Sequence, residues 1–305
     1  QAEDGIRDLV RSRGLGDVYK RQLLPRRIQG SFRFLQLFID NQSYNGIFKN
    51  RYNYIISAGS STLPLNVMAS YENSAANVHI LSPGFYKDKL KLVLVPEHDE
   101  IYSGNAVSYK GSLIENGKEQ QPLDYPEKIS LRKDAFKISL LIGGDSRKYR
   151  MRLEEIKPLV FYIDKISSRG NIDLMITTSR RTPKPIENFL KEYFSSKDYL
   201  RLLIIANEEN PAGAYSTMLN ASDLVIATSD SISMISEPLS LSKRLYVFKT
   251  EKLPDKNKRF IQNLEREGLL KIINLDNKED FFTNQRQGIK LDNRNIIKEA
   301  LKQVI

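Results

Sequence analysis

The chain has 305 residues, of which 40% are hydrophobic, so its length allows one large or two medium domains with a substantial core. It contains no cysteine, which excludes disulfides, thiolate nucleophiles and cysteine metal sites. The net charge of +10 suits an anionic partner, such as an anionic lipid or a phosphorylated small molecule, although a background composition rich in Lys and Asn gives the same charge.

Apolar and basic residues are spread along the chain rather than gathered in long runs. No apolar run approaches the roughly 18–20 residues of a transmembrane helix, which predicts a cytoplasmic protein that is soluble or peripheral. No run of five or more Lys or Arg is present, which argues against nucleic acid as a partner. Peripheral binding to the anionic inner face of the cytoplasmic membrane stays open.

Residues 1–22 differ in character from the rest of the chain. They begin with Gln, are rich in Arg and Gly, and show no sustained helical or strand period. We predict a non-native leader that resembles translated adapter sequence and takes no part in the fold; a basic amphipathic leader is the alternative. Under the first interpretation we expect the native N-terminus to be missing.

Strands that alternate with helices predict two α/β domains with parallel sheets. The first covers residues 23–114, with short apolar strands and one helix, and the polar segment 115–135 is the predicted linker. The second, residues 136–275, has five apolar strands, each leading towards the next through a helix, as in a Rossmann-like sheet covered on both faces. Residues 276–305 form a C-terminal extension whose apolar spacing predicts a helix.

The loops that follow the strands of the second domain form the candidate ligand site, because ligands of open parallel sheets bind beyond the carboxyl ends of the strands. Glycines admit a close oxyanion, helix-start amides and hydroxyls donate to phosphate, and arginines pair with it. A carboxylate one turn into a helix suits the hydroxyls of a ribose. The candidate donor-binding residues are Gly143, Gly144, Ser146, Arg147, Ser179, Arg180, Arg181, Asn210, Ser229, Asp230, Ser231, Ser233 and Glu237.

Each of these loops also has a plainer structural interpretation. The paired glycines can be an ordinary turn, the serines around Ser231 can be a helix N-cap, and the paired arginines can be a solvated helix start. The placement of all the loops on one edge of one sheet favours a ligand site over these alternatives. The motifs G-x-G-x-x-G and G-x-x-x-x-G-K-[ST] are absent, which disfavours an NAD enzyme or an NTPase.

Several stretches resemble the family named after the plant mitochondrial fission factor whose loss elongates mitochondria. They are YIISAGSST, VLVPEHDE, LLIGGDSRKYR, MITTSRRTP, NPAGAY and ASDLVIATSDSISMISE, in the order of the family. Bacterial members are described as glycosyltransferases. The resemblance therefore implies a glycosyltransferase-B-like architecture, with the donor nucleotide-sugar on the second domain and the acceptor on the first, incomplete one. It places Gly143 and Gly144 at the donor phosphates, Ser231 and Ser233 in the same pocket, and Glu237 on the ribose.

An inverting sugar transfer also needs a general base on the acceptor hydroxyl. His98 ends a predicted strand between Glu97 and Asp99, whose carboxylates can orient it, and it is the candidate catalytic residue; a structural turn is the alternative. His79 lies within a short strand and is predicted to be packed. No metal-ligand constellation is present in the sequence, so we expect neither a metal nor a cofactor.

Two functions stay open. The first is a metal-independent, hexosyl-type glycosyltransferase that acts on a cell-envelope or lipid-linked acceptor. The second is a non-catalytic adaptor that recruits partner proteins to a membrane surface. The resemblance to the plant members implies a dynamin-type fission protein as such a partner. Residues suited to binding phosphate and ribose are present together, which favours retained ligand binding. A protein that had lost its catalytic activity would be free to lose these residues.

Overall fold

The computed structural model describes residues 51–114, 129–275 and 288–304, together with Gln42 and Asn45. The predicted leader and most of the predicted linker lie outside the described residues. The chain divides into two compact units, which we call unit 1 (Gln1–Tyr109 with Asn293–Ile305) and unit 2 (Lys110–Asp292). In this division the C-terminal helix, Arg294–Lys302, belongs with unit 1, where it contacts the third and fourth strands.

Unit 1 is built on a four-stranded parallel sheet. Its strands, paired in chain order, are β1 (Tyr54–Ala58), β2 (Ala76–Ile80), β3 (Leu92–Pro96) and β4 (Ala106–Tyr109). Helix α1 (Leu63–Asn73) connects β1 to β2, with Pro64 in its first turn, where a missing amide costs no intrahelical bond. Leu63 and Val67 of α1 pack on Val93 and Val95 of β3, which forms the core of this unit.

A buried polar network ties α1 to β1 and β2. The side-chain amide of Asn66 donates to the Ser57 hydroxyl at 2.8 Å and to the Val78 carbonyl at 2.9 Å. Ser57 Oγ lies 2.8 Å from Nδ1 of His79, a ring that is fully buried. Ser57 Oγ therefore links the Asn66 amide to the imidazole ring, and either Ser57 Oγ or Nδ1 can be the donor in the second bond. The prediction that His79 is a packed residue is confirmed.

We expect acid to weaken unit 1 through His79. Burial lowers the pKa of His79 below its usual 6.5, because a charged ring loses its hydration there, while the Ser82 backbone partly opposes the shift. The unfolded chain therefore takes up a proton near pH 6.5 that the folded chain refuses, and the free energy of unfolding falls as the pH drops through this value. Urea unfolding of the wild type and of His79→Gln across this range tests it. A difference between the two proteins that does not change with pH would contradict the expectation.

Unit 2 is built on a six-stranded parallel sheet. Its strands are β5 (Phe136–Leu141), β6 (Ile172–Thr177), β7 (Leu200–Ile204), β8 (Leu224–Thr228), β9 (Leu245–Phe248) and β10 (Lys271–Ile272). The helices between them are α2 (Leu153–Ser167), α3 (Lys184–Phe194), α4 (Ala214–Ala221), α5 (Ile232–Ser240) and α6 (Asp255–Arg266). The strand order is β10-β9-β8-β5-β6-β7. Numbered within the unit and read from β7 to β10, this is 3-2-1-4-5-6, the doubly wound order, so the predicted Rossmann-like parallel sheet is confirmed.

Both faces of this sheet are covered by helices. Alternate residues of one strand face opposite sides, so Leu140 of β5 packs with Ile156 of α2, whereas its neighbour Leu141 belongs to the core formed with α4, α5 and α6. Every residue of β6 and β8 is buried. This two-sided burial explains why the strands appear in the sequence as nearly unbroken apolar runs.

One acid in the sheet is buried far from the predicted ligand edge. Asp173, at the start of β6, accepts hydrogen bonds from Nε of Arg132 at 2.8 Å and from Nε of Arg201 at 2.7 Å. Burial raises the pKa of Asp173, but the hydrogen bonds from Arg201 and Arg132 outweigh it and hold the pKa below its usual value. Asp173 therefore serves as an anchor for the segment that leads into β5.

Candidate functional site

The strand order creates a switch point between β5 and β8. The chain leaves β5 towards β6 on one side, and β8 starts the other half of the sheet directly beside β5. Ligands of doubly wound sheets bind in the crevice outside the carboxyl ends of the two strands at such a point. The loops that follow β5 and β8 contain Gly143, Gly144 and Asp230, so predicted residues from two distant parts of the sequence are neighbours here.

Asp230 joins these two loops directly. Its carboxylate accepts from the Gly144 N–H and from the Thr228 hydroxyl, both at 2.7 Å, and Thr228 Oγ1 accepts from the Gly143 N–H at 2.8 Å. Asp230 is only 8% exposed. Burial raises the pKa of Asp230, although the Thr228 and Gly144 hydrogen bonds and the charge of Arg181 oppose the shift. We call the bonds among Gly143, Gly144, Thr228 and Asp230 the Asp230 knot.

Close packing explains why residues 143 and 144 are glycines. A Cβ on Gly143 would overlap the Asp230 carboxylate, and a Cβ on Gly144 would overlap the backbone of Arg181 and Thr182. Neither glycine has a positive φ, so space and not backbone conformation selects glycine here. The two glycines thereby let the loops after β5, β6 and β8 meet.

The amides of the glycine loop all donate within the protein. Besides the two glycine amides, the N–H of Asp145 donates to the Arg181 carbonyl at 2.9 Å, and the N–H of Ser146 donates to the Tyr149 carbonyl at 2.8 Å. The sequence interpretation assigned these glycines to donor phosphates because a phosphate can approach such amides closely. In the described conformation the amides of residues 143–146 are already used, so a phosphate here has to find other donors.

The three serines after β8 have different surroundings. Ser229 is fully buried and its hydroxyl accepts from the Thr250 N–H at 2.9 Å. Ser231 is the N-cap of α5 and accepts from the Met234 N–H at 3.5 Å, which is the structural alternative that the sequence left open. Ser233 is exposed, with its hydroxyl 3.4 Å from that of Ser112. Of the three, Ser233 is the one whose hydroxyl is presented to solvent.

Glu237 lies one turn further along α5 and is partly buried beside Tyr215 of α4. Burial raises the pKa of Glu237 above its usual value, and the neighbouring Tyr215 hydroxyl partly opposes this. A carboxyl in such surroundings has fewer competing waters and is a good partner for the paired hydroxyls of a ribose.

The predicted cations lie on exposed loops beside the glycine loop. The Arg181 guanidinium donates to the Asp145 carbonyl at 2.7 Å, and the Arg181 N–H donates to the Ser179 hydroxyl at 3.0 Å. Ser179 therefore shapes this turn. Arg147 and Arg180 are exposed. The Ser146 hydroxyl accepts from the Lys148 N–H at 3.4 Å within the loop after β5.

The loop after β7 lies apart from this group, because β6 separates β7 from β5. Its side chains contact α3: the Asn207 amide donates to Glu187 at 2.7 Å, and Glu208 pairs with Lys191 at 2.6 Å. Asn210 is exposed in the same loop. The structure thus brings together the predicted residues of three loops, and it places Asn210 beyond the edge strand of the sheet.

His98 is found in unit 1, in the 3-10 turn Glu97–Asp99 that follows β3. Its Nε2 lies 4.0 Å from Oδ1 of Asp99, so the predicted carboxylate neighbour is present. The side chain is only 4% exposed. This burial fits the structural-turn alternative.

Two residues that hold the loops together were missed by the sequence analysis. The Thr182 hydroxyl donates to the Gly143 carbonyl at 2.5 Å, across from the loop after β6. The Asn257 amide of α6 donates to the carbonyls of Ser229 at 3.3 Å and Asp230 at 2.9 Å. The position of Thr182 in the loop after β6 could have indicated its role, because a hydroxyl there can bond to a neighbouring loop. Asn257 lies in a polar helix start, where no local pattern distinguishes it.

The side chains bonded to the loops at the switch point include the hydroxyls of Thr228 and Thr182, the Asn257 amide and the Asp230 carboxylate. Among the residues that the structure describes, no group of three or more His, Asp or Glu side chains is arranged to hold a metal ion. A search of the same residues finds no helix with the length and apolar character to cross a bilayer.

Comparison with known families covers nearly the whole chain. Residues 24–303 match the family described as Mitochondrial fission ELM1. The chain belongs to this family. The resemblance that the sequence motifs indicated is therefore confirmed. The matched residues include the strands of both sheets.

A curated relative of the ELM1-family chain is the uncharacterized protein RP120 of Rickettsia prowazekii (strain Madrid E). The two are 30% identical over 145 residues. This match includes 45% of the chain and 38% of the relative, so it spans well under half of that protein.

Two solved structures are similar to the ELM1-family chain at low sequence identity. MurG of Acinetobacter baumannii has a TM-score of 0.44 and 14% identity, over 89% of this chain and 75% of that one. A UDP-GlcNAc 2-epimerase from Neisseria meningitidis, bound to UDP-GlcNAc, has a TM-score of 0.46 and 13% identity, over 85% of this chain and 70% of that one. At TM-scores below 0.5 these likenesses support no conclusion about activity.

Proposed function

We propose that unit 2 binds a nucleotide-sugar and that the chain is a metal-independent glycosyltransferase with a glycosyltransferase-B-like fold, acting on a cell-envelope or lipid-linked acceptor. The supporting observation is the strand order of unit 2, which sets the polar loops after β5 and β8 side by side at a switch point. This is where doubly wound sheets bind their ligands. The Asp230 knot makes these loops a rigid support for such a site.

Two parts of a nucleotide-sugar, the phosphates and the ribose, have proposed partners in unit 2. The arginines at positions 147, 180 and 181 are assigned to the phosphates, since guanidinium groups pair with phosphate oxygens. Glu237 is assigned to the ribose hydroxyls and Ser233 to a polar contact beside them. His98 is the proposed base: it takes the proton of the acceptor hydroxyl as that oxygen attacks the sugar, and the nucleoside diphosphate leaves.

The second candidate function is a non-catalytic adaptor, and membership of the Mitochondrial fission ELM1 family favours it. In this function the chain recruits partner proteins, such as a dynamin-type fission protein, to a membrane surface. The net charge of +10 fits attraction to an anionic membrane face under either function. We propose a peripheral position on the inner face of the cytoplasmic membrane for the enzyme.

A nucleotide-binding measurement tests the first function. We expect UDP or GDP at millimolar concentration to raise the melting temperature, because a ligand that binds only the folded state stabilises it. Glu237→Ala should weaken this binding about tenfold, which corresponds to about 1.4 kcal/mol of lost hydrogen bonding to the ribose. Calorimetry with the better of the two nucleotides measures the loss.

His98→Ala is the matched comparison, since His98 is assigned to the acceptor and not to the nucleotide. We expect it to leave nucleotide affinity unchanged. Absence of a thermal shift with both nucleotides would contradict the donor site. A larger loss from His98→Ala than from Glu237→Ala would show that the two roles are wrongly assigned.

A further inference from the structure

A basic turn stands beside the switch point. Ser146 and Tyr149 form an isolated antiparallel bridge, so Arg147 and Lys148 lie at the tip of a tight turn. Both side chains are exposed, as is that of Arg180 in the loop after β6. Within the described ranges of the chain, none of these three cations forms an ion pair. We call Arg147, Lys148 and Arg180 the basic rim.

The base of this turn is firmly anchored. The Asp145 carboxylate pairs with Arg150 at 2.7 Å and accepts from the Met151 N–H at 2.9 Å, so the acid nearest the turn is already neutralised. Tyr149 is buried, and its hydroxyl donates to Glu155 at 2.7 Å. The Asp145 N–H bond to the Arg181 carbonyl joins the turn to the loop that contains Arg180. The rim cations are therefore presented from a fixed backbone.

The interior of the same site is already filled by the Asp230 side chain. The Asp230 carboxylate occupies the Gly144 N–H, at the place where a phosphate would approach a glycine loop. A phosphate in this position would have to break that bond, and it would have to displace the Asp230 side chain, which occupies the space beside Gly143. The glycine loop is thus closed to an anion in two ways.

We infer that the chain holds the diphosphate of its ligand on the basic rim, by side chains, and not on the amides of the glycine loop. This rests on the proposed function, which makes a nucleoside diphosphate the ligand. Arginine pairs with phosphate in a fork and lysine as a point charge, so the rim offers both kinds of contact. Because the rim side chains are exposed, their attraction for phosphate is screened by salt.

The test compares two double variants with equal loss of charge. Arg147→Ala/Lys148→Ala removes the tip of the turn. Lys165→Ala/Arg169→Ala removes two exposed cations at the end of α2 and just after it, next to the start of β6 and so at the opposite edge of the sheet. Circular dichroism and thermal melting check that both variants are folded. Calorimetry then measures UDP, inorganic pyrophosphate and uridine at about 0.05 M and about 0.5 M salt.

We expect the rim variant to bind UDP and pyrophosphate at least about tenfold more weakly than the wild type at low salt, and the control variant to match the wild type. Uridine, which lacks phosphate, should not distinguish the proteins. Wild-type affinity for UDP should fall at high salt, and that of the rim variant should change less.

The outcomes separate this inference from the proposed function. Equal UDP affinity in the wild type and the rim variant would overturn the inference and leave the nucleotide site standing. If UDP binds to none of the three proteins, the proposed function is contradicted, and the binding of pyrophosphate then tests the inference. Pyrophosphate binding that only the rim variant loses supports an anion site on the rim. Binding that is equal in all three proteins, or absent from all three, overturns it.

Discussion

Gly144→Ala is expected to destabilise unit 2 by about 3 kcal/mol or more, and so to remove much of the stability of an ordinary domain. The added methyl group would overlap the backbone of Arg181 and Thr182, and backbone atoms cannot rotate away as a side chain can. Relief requires the loops after β5 and β6 to separate, which breaks the bond between the Asp145 N–H and the Arg181 carbonyl. Urea unfolding followed by circular dichroism measures the loss.

Gly104→Ala is the control for this substitution. An added Cβ at Gly104 meets no atom within 4 Å, and its φ is not in the left-handed region. We expect a change within about 0.5 kcal/mol, as for most surface substitutions. If Gly144→Ala were equally neutral, the close meeting of the three loops would not exist in solution.

Asp230→Ala should lower the free energy of unfolding by about 2–4 kcal/mol, since it leaves the buried Gly144 N–H and the Thr228 hydroxyl without their acceptor. Asp230→Asn keeps one acceptor oxygen and should cost less. Equilibrium unfolding of both variants beside the wild type measures the difference. Equal losses would show that side-chain volume contributes little and that the Asp230 knot requires both carboxylate oxygens as acceptors.

The stability difference between the wild type and Asp230→Asn should depend on pH with a definite sign. Because burial raises the pKa of Asp230 above 3.8, the folded state holds its proton at a pH where the unfolded state has lost it. The wild type should therefore gain stability relative to Asp230→Asn as the pH falls from neutral towards 3.8. A gain for the wild type on raising the pH would mean that the carboxylate is favoured in its ionised form.

The Asp230 knot changes which residues can be taken as evidence for a bound ligand. Gly143, Gly144 and Asp230 have a structural reason to be present in this chain, whether or not it binds a nucleotide. Their joint presence therefore does not separate an enzyme from an adaptor. The distinction depends on residues that form no such internal bonds, which are those of the basic rim.

Much of the architecture was predictable from local pattern. The apolar runs that end in polar loops predicted the parallel sheets, since a strand buried on both faces needs an apolar residue at every position. The same pattern predicted a helix between successive strands of unit 2, and the family motifs were recognisable without any structure. Even the N-cap role of Ser231 was among the alternatives, because a hydroxyl before a helix has a limited set of uses.

The composition of the site was decided by tertiary structure. Gly144 and Asp230 are 86 residues apart in the chain, and they meet because β5 and β8 are neighbours in the sheet. Strand order depends on how helices cross over the sheet, and neither hydrophobic period nor loop composition specifies it. For the same reason Asn210 was grouped with residues that lie two strands away, and Asn257 was overlooked. The sequence by itself determined that polar loops follow these strands. Only the packing of one loop against another decided that the Asp230 carboxylate binds the Gly144 N–H.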